Sequence, residues 1–281
     1  MMLPNLCRML NVSELRYIQS RWEPASGRNP DVLAGTLIPA VRRLACALRA
    51  SLLMTGLRAR PFYHYLLART KYYDAIFLDA VHGGAGCIVN IGCGADTRAY
   101  RFAPLLREKG VRVLECDQPE AIRTKQKIAT RHWRTDHVRY IALDLHDNRW
   151  AGLRLALDEN GGSPALVMIE GVSPYVRAAS FEAFLRFLAG LLQPDSVLAY
   201  DFKIAGTVDP VPCPVRDPFR LAAQRAQVAA YHAALGFGLR HMELSSELSR
   251  RLVPQAPAVF DFDCLLQLNP RKSLAGGRAG D

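Results

Sequence analysis

Apolar residues recur at helical spacing through residues 32–57 and again through 62–81, so the first 80 residues predict helices and no strand. From Gly86 the period changes. Short apolar runs at 87–91, 111–116, 138–143, 165–169 and 197–200 alternate with amphipathic stretches. Five such runs separated by helix-like segments predict an α/β fold with a parallel sheet. Residues 96–106 predict the first of the intervening helices. Pro119 suits the opening turn of the next, and Ser180 is placed to cap a packing helix over 181–192. A Pro-rich stretch, 209–218, then reads as an inserted loop or lid edge and is followed by a helical segment at 219–235. Residues 258–268 are β-rich, and 270–281 have the composition of a frayed tail. The expected organisation is a helical cap over 1–80, a core over 81–269 with its insertion near 203–218, and a flexible tail over 270–281.

Composition narrows the classes. Half of the 281 residues are hydrophobic and 22% are charged, which excludes disorder for the bulk of the chain. The net charge is +10, but only six of the 36 basic residues are Lys and the arginines are scattered, unlike the clustered stripe of a nucleic-acid footprint. Seven cysteines show no CxxC or Cys/His ligand spacing and read as reduced core thiols of a cytoplasmic protein, with no metal. Arg42, Arg43 and Arg49 break the most apolar region, so no stretch reaches the ~18 residues of a membrane span. Residues 1–10 lack a signal-peptide layout. The expected partner is a small molecule, with neither nucleic acid nor membrane, and the oligomeric state is open.

Ile88-Val-Asn-Ile-Gly92-Cys-Gly94-Ala-Asp96-Thr-Arg98 is a strand running into a Gly-rich turn. Gly92 and Gly94 let the backbone turn tightly and approach a nucleotide-like ligand. Asp96 would repel a pyrophosphate at this turn, and Thr97 stands where a dinucleotide fingerprint has its third Gly, so a cationic sulfonium ligand fits better. Asp117 ends the second run, 25 positions after Gly92, where a carboxylate can accept both hydroxyls of a ribose. Asp144 and Leu145 end the third run, suited to an adenine amino group and ring. Glu170 ends the fourth, before Gly171-Val-Ser-Pro-Tyr175. Ligands of open parallel sheets bind outside the carboxyl ends of the strands, so these residues are expected to share one crevice.

Together with Arg69-Thr-Lys-Tyr-Tyr-Asp74, these segments make the chain resemble the leucine carboxyl methyltransferase group of class I S-adenosylmethionine-dependent methyltransferases, including its bacterial polyketide O-methyltransferase branch. The resemblance spans about residues 69–202. It implies a Rossmann-like seven-stranded, mostly parallel sheet with a helical N-terminal cap that helps to form the substrate pocket. It implies an S-adenosyl-L-methionine site in which Arg69 holds the methionine carboxylate, Gly92 and Gly94 form the turn, Asp117 binds ribose, Asp144 and Leu145 take adenine, and Glu170 lies near the amino group. The implied activity is O-methylation of a carboxylate or hydroxyl of a small biosynthetic acceptor, a secondary metabolite, by direct in-line transfer. Tyr175, following Glu170, is the candidate catalytic residue beside the methyl group. Two other readings stay open: a methyltransferase for protein C-terminal carboxylates, and an NAD-dependent Rossmann oxidoreductase.

The chain departs from the family's pattern at Ser173-Pro174, where a bulky apolar pair is usual, so a reshaped pocket wall is expected. The early basic residue that assists Arg69 in the family has Arg21, Arg28 and Arg49 as candidates. Asp74 is expected to have a role in the site. Arg98 and Arg101 read as surface or structural ion pairs. His64 and His146 are placed where either could face the pocket. The aromatic run Phe62, Tyr63, Tyr65, Tyr72 and Tyr73 is equally compatible with a pocket lining and with helix packing.

Overall fold

The computed structural model describes residues 10–147, 149–208 and 215–271. Among the described residues the first α-helices are α1 (Val12–Trp22), α2 (Ala40–Arg58) and α3 (Pro61–His82). Asn11 starts α1 with a reciprocal capping box, accepting the Glu14 N–H at 2.9 Å while its own N–H donates to Glu14. The inner side of α2 buries Cys46, Leu53, Met54 and Leu57 against Leu15 and Ile18 of α1 and Tyr63 and Leu66 of α3.

The alternation that follows comprises β1 (Cys87–Ile91), α4 (Arg98–Arg101), α5 (Ala103–Glu108), β2 (Arg112–Asp117), α6 (Pro119–His132), β3 (Val138–Ala142), α7 (Ala151–Asp158), β4 (Ala165–Ile169), α8 (Ala178–Ala189) and β5 (Val197–Ile204). The two-residue β6 (Arg220–Leu221), α9 (Arg225–Ala234), β7 (Phe237–Leu244), α10 (Ser245–Leu252) and β8 (Asp263–Pro270) complete it. The sheet runs β3-β2-β1-β4-β5-β8-β7, with β6 as a spur on β5. All pairs among β1 to β6 are parallel, and β8 is antiparallel to both neighbours.

Every residue of β1 and β4 is buried, because helices cover both faces of the sheet. Val89, Ile91, Val167 and Ile169 face one core with α7 and α8, whereas Ile88, Leu166 and Met168 face the other with α3. The chain reverses its winding between β1 and β4, the place where open α/β sheets leave a crevice.

Several local expectations differ from the structure. The helix expected over 96–106 is two short ones, because Pro104 has no N–H to give and its ring excludes a continuous turn after Phe102. Ser180 lies inside the first turn of α8, whose N-cap is Arg177. Phe219 is buried, Arg220–Leu221 form the half-buried β6, and α9 begins only at Arg225. The strand expected over 258–268 begins at Asp263. Cys46, Cys87, Cys93, Cys116 and Cys264 are buried and free, while Cys7 and Cys213 lie outside the described residues. Most of the Pro-rich stretch, 209–214, and the tail 272–281 also lie outside them. Residues 217–219 run beside 176–178, with the Ala178 N–H on the Asp217 carbonyl and the Phe219 N–H on the Val176 carbonyl.

Candidate active site

Two adjoining cavities open at the carboxyl ends of β1, β2 and β4. The larger, about 350 Å³, is lined by Gly92, Asp117, Asp144, Leu145, His146 and Tyr175 among others. The smaller, about 190 Å³, is lined by Arg16, Arg69, Gly94 and Asp96. Gly92, Glu170 and Gly171 belong to both walls. All eight residues singled out in the sequence therefore border one of the two spaces. The larger volume lies in the range of small-molecule sites, about 300–1,000 Å³.

The turn after β1 needs glycine for two reasons. Gly92 and Gly94 have φ of +65° and +40°, and a Cβ on Gly92 would stand 2.4 Å from a Val172 methyl. Asp117 closes the turn from the neighbouring strand: one carboxylate oxygen accepts the Gly94 N–H and the other the Gln118 N–H, both at 2.7 Å. Lys125 of α6 supports the turn from below, pairing with buried Glu115 and donating to the Cys93 carbonyl at 3.3 Å. At the next strand end, the Asp144 carboxylate accepts the His146 N–H at 2.9 Å and lies 3.3 Å from Nδ1 of the same ring.

Glu170 joins three guanidinium groups. It pairs with Arg16 of α1, with Arg69 Nε of α3 at 3.2 Å and with Arg98 Nη1 at 2.8 Å. Burial opposes its ionisation, but Arg16, Arg98 and Arg69 outweigh burial and hold its carboxyl below the usual range. Arg98 is almost wholly enclosed and also binds Asp74, Asp96 and the Thr70 carbonyl. Asp96 is likewise buried yet held well below its ordinary range, against its desolvation, by Arg98, Lys125 and Arg16.

Beneath Arg69 lies Asp201 of β5, which accepts the Gly171 N–H at 2.7 Å and the Tyr73 hydroxyl at 3.0 Å. Burial pushes its carboxyl up to about 6; Asp263 adds to the shift, while Arg69 and the Gly171 N–H oppose it. The folded chain thus keeps this proton to a higher pH than the unfolded chain, whose Asp titrates near 3.8. Asp201 is expected to make stability fall as pH rises from about 4 to 6 and to add nothing further above that window. Urea unfolding of the parent and Asp201→Asn at about pH 4.5 and 7 checks this: the descending component should vanish in the variant, and an unchanged slope contradicts it.

The structure also corrects the sequence reading. The basic residue beside Arg69 is Arg16; Arg21, Arg28 and Arg49 line neither cavity. Its only sequence signal was a basic residue among the apolar positions Leu15 and Ile18 of α1. Arg98 and Arg101 form structural ion pairs, the second of the two readings given for them, and Asp74 lies behind the cavities, where it accepts from both. Ser173 and Pro174 line neither cavity; the Ser173 hydroxyl donates to the Asp201 carbonyl at 2.8 Å, so Val172, Tyr175 and Val176 form that wall. His146 faces the larger cavity and His64 does not. Phe62, Tyr63, Tyr65, Tyr72 and Tyr73 pack the helices and sheet and border neither space.

Comparison with known proteins agrees with this architecture. A Rhodococcus jostii protein named a putative S-adenosyl-L-methionine-dependent methyltransferase is 31% identical over 162 residues, 54% of each chain. A Mycobacterium tuberculosis protein of the same description is 33% identical over 141 residues, 49% of this chain and 45% of its own. The chain spans about half the length of the curated relatives it matches. The crystal structure of a putative methyltransferase from Thermobifida fusca superposes with a TM-score of 0.55 at 10% identity, covering 96% of this chain and all of that one, a likeness of fold. The fold is that of the class I methyltransferases. The profile described as leucine carboxyl methyltransferase matches residues 14–189, from the helix that carries Arg16 through the end of α8. By this match, over more than half of its length, the chain belongs to the leucine carboxyl methyltransferase family.

Proposed function

We propose that the protein is an S-adenosyl-L-methionine-dependent O-methyltransferase acting on a carboxylate or hydroxyl of a small-molecule acceptor. The observation that carries this reading is the pair of joined cavities, with a guanidinium end at Arg16 and Arg69 and a carboxylate end at Asp117 and Asp144. The residues present fit the cofactor. The buried Nε of Arg16 has no hydrogen-bond partner, and that of Arg69 is within ion-pair distance of Glu170 without alignment for a hydrogen bond, leaving donors for a carboxylate. Gly92 leaves space that a side chain would fill.

Arg69, assisted by Arg16, is the group for the methionine carboxylate, and a guanidinium fork suits that anion. Glu170 holds both arginines in place and faces the amino group. Asp117 takes the ribose hydroxyls with the lone pairs its backbone donors leave, and Asp144, steadied by His146, takes the adenine amino group beside Leu145. When bound, the cofactor supplies an electrophilic methyl group on a sulfonium, and the in-line displacement needs no covalent enzyme intermediate. The chain's part is to position the reactants and keep water out. A carboxylate acceptor is already ionised at pH 7, whereas a phenol with a pKa of ~10 benefits from a base.

Tyr175 shares the larger cavity with Glu170, Gly171 and Val172 and is the side chain proposed next to the acceptor. Tyr175→Phe is expected to lower turnover on the order of 10–100-fold while leaving affinity for S-adenosylhomocysteine within about twofold. Unchanged turnover removes Tyr175 from the mechanism. The function itself is tested with methyl-labelled cofactor and a panel of carboxylic acids, phenols and a peptide with a free C-terminal leucine. Label in a small acid or phenol supports the proposal, and label in the peptide alone replaces it with the protein-directed reading.

A further inference from the structure

The chain leaves β4 through residues 171–175, of which Gly171, Val172 and Tyr175 form a wall of the larger cavity. One turn of 3-10 helix, Ser173–Tyr175, is the regular structure in this segment, so its place is set largely by what it is tied to. The tie is Asp201 of β5. One carboxylate oxygen of Asp201 accepts the Gly171 N–H at 2.7 Å and the Tyr73 hydroxyl at 3.0 Å, and the Asp201 carbonyl accepts the Ser173 hydroxyl at 2.8 Å. The other carboxylate oxygen lies 3.5 Å from Nη1 of Arg69.

The two oxygens thus serve different ends of the site, one the wall of the larger cavity and one the guanidinium of the smaller. Asp201 itself lines neither space. Wall and guanidinium meet directly above it: Gly171 has φ of +68°, and a Cβ there would stand 3.2 Å from both Nη atoms of Arg69. The sheet fixes Asp201 in turn, since β5 is paired with β8 on this side and Lys203, two positions on, pairs with Asp263 at 2.6 Å.

An enclosed carboxylate is a costly choice for this position. The Gly171 N–H and the Tyr73 hydroxyl need an acceptor and no charge; of these partners Arg69 alone calls for an anion. Burial and Asp263 push the Asp201 carboxyl up to about 6 against the pull of Arg69, which still leaves it ionised at about pH 7.5. We propose that Asp201 is a positioning residue for methyl transfer: one oxygen fixes the acceptor-side segment 171–175, the other aims the Arg69 guanidinium at the methionine carboxylate, and the two ends of the site thereby keep one spacing. This role rests on the cofactor reading above, and Asp201 lies outside residues 14–189, to which the family profile is matched.

Asp201→Asn separates the two duties. Its amide oxygen still accepts from Gly171 and Tyr73, while its NH2 turns a donor toward Arg69 in place of an anion. Asp201→Ala removes both. Calorimetric titration with S-adenosylhomocysteine at about pH 7.5 reads the Arg69 end, and amide hydrogen exchange over residues 171–175 with no ligand present reads the wall. Asp201→Asn should weaken binding on the order of 10–100-fold with exchange of the wall within about threefold of the parent. Asp201→Ala should weaken binding at least as much and speed exchange of the wall about tenfold or more, with the amides of β1 and β4 still protected. A merely structural role would move both readouts together in both variants. Parent-like or tighter binding by Asp201→Asn, or parent-like exchange of the wall in Asp201→Ala, overturns the proposal and leaves the cofactor reading intact. A parent that does not bind S-adenosylhomocysteine overturns the cofactor reading and this role with it.

Discussion

Glu170→Gln is expected to lose detectable binding of S-adenosylhomocysteine and about 3–5 kcal/mol of stability. Among the described residues Glu170 is the one carboxylate that Arg16, Arg69 and Arg98 share, and all four side chains are almost entirely withdrawn from water. Gln keeps the shape and removes the charge, leaving Arg16 without its closest anion and Arg69 with Asp201 at 3.5 Å. Buried cations stripped of a partner cost far more than the pair contributes net, since their desolvation is no longer offset. Arg16 then has little to hold α1 over the smaller cavity. The pH dependence carries the same signature. Because the folded Glu170 carboxyl is depressed, its contribution is fully present above the unfolded range near 4.5 and is lost as pH falls below it. Chemical unfolding of parent and variant between about pH 3 and 7 should therefore converge at the acid end, and a constant difference contradicts the assignment.

Arg98→Met is expected to cost a comparable amount, about 4 kcal/mol, seen as a fall of about 8–16 °C in Tm. Its guanidinium binds Asp74, Asp96 and Glu170 in one enclosed space. Methionine fills the volume but leaves Asp96 without its nearest cation. Arg98 lines neither cavity, so binding should weaken on the order of tenfold, through displacement of Glu170 and Asp96, instead of vanishing. The double variant Arg98→Met/Glu170→Gln should be less destabilised than the sum of the two, because each single change strands a charge that the other removes. Additive losses measured by urea unfolding would contradict a shared network.

The strand ends were legible because each couples a buried apolar run to a residue that can serve only at a sheet's edge. Gly92, Asp144 and Glu170 follow β1, β3 and β4 and Asp117 ends β2, and a parallel sheet aligns such positions without any further information. What was not legible is tertiary. Arg16 lies 154 positions from Glu170, and its place among the apolar positions of α1 does not say which carboxylate it meets. Arg98 and Arg101 sit one turn apart, as exposed helix charges do, and only the fold encloses them against Asp74 and Asp31. On α2, Val41, Leu44, Leu48 and Leu52 have the spacing of a buried face, and the described residues leave them exposed. Periodicity reports that a helix has an apolar side but not whether the same chain covers it.

Calorimetric titration with S-adenosylhomocysteine tests the central claim most directly, with NADH as the competing ligand and Asp117→Ala as the site control. Asp117 fixes the glycine turn through Gly94 and offers its carboxylate to the larger cavity, so its loss should remove binding while the β1–β4 sheet remains folded. Micromolar binding of S-adenosylhomocysteine by the parent, about 100-fold weaker in Asp117→Ala, with no heat from NADH, is the predicted result. Binding of NADH in its place, or S-adenosylhomocysteine affinity indifferent to Asp117, would contradict the methyltransferase site proposed for this chain.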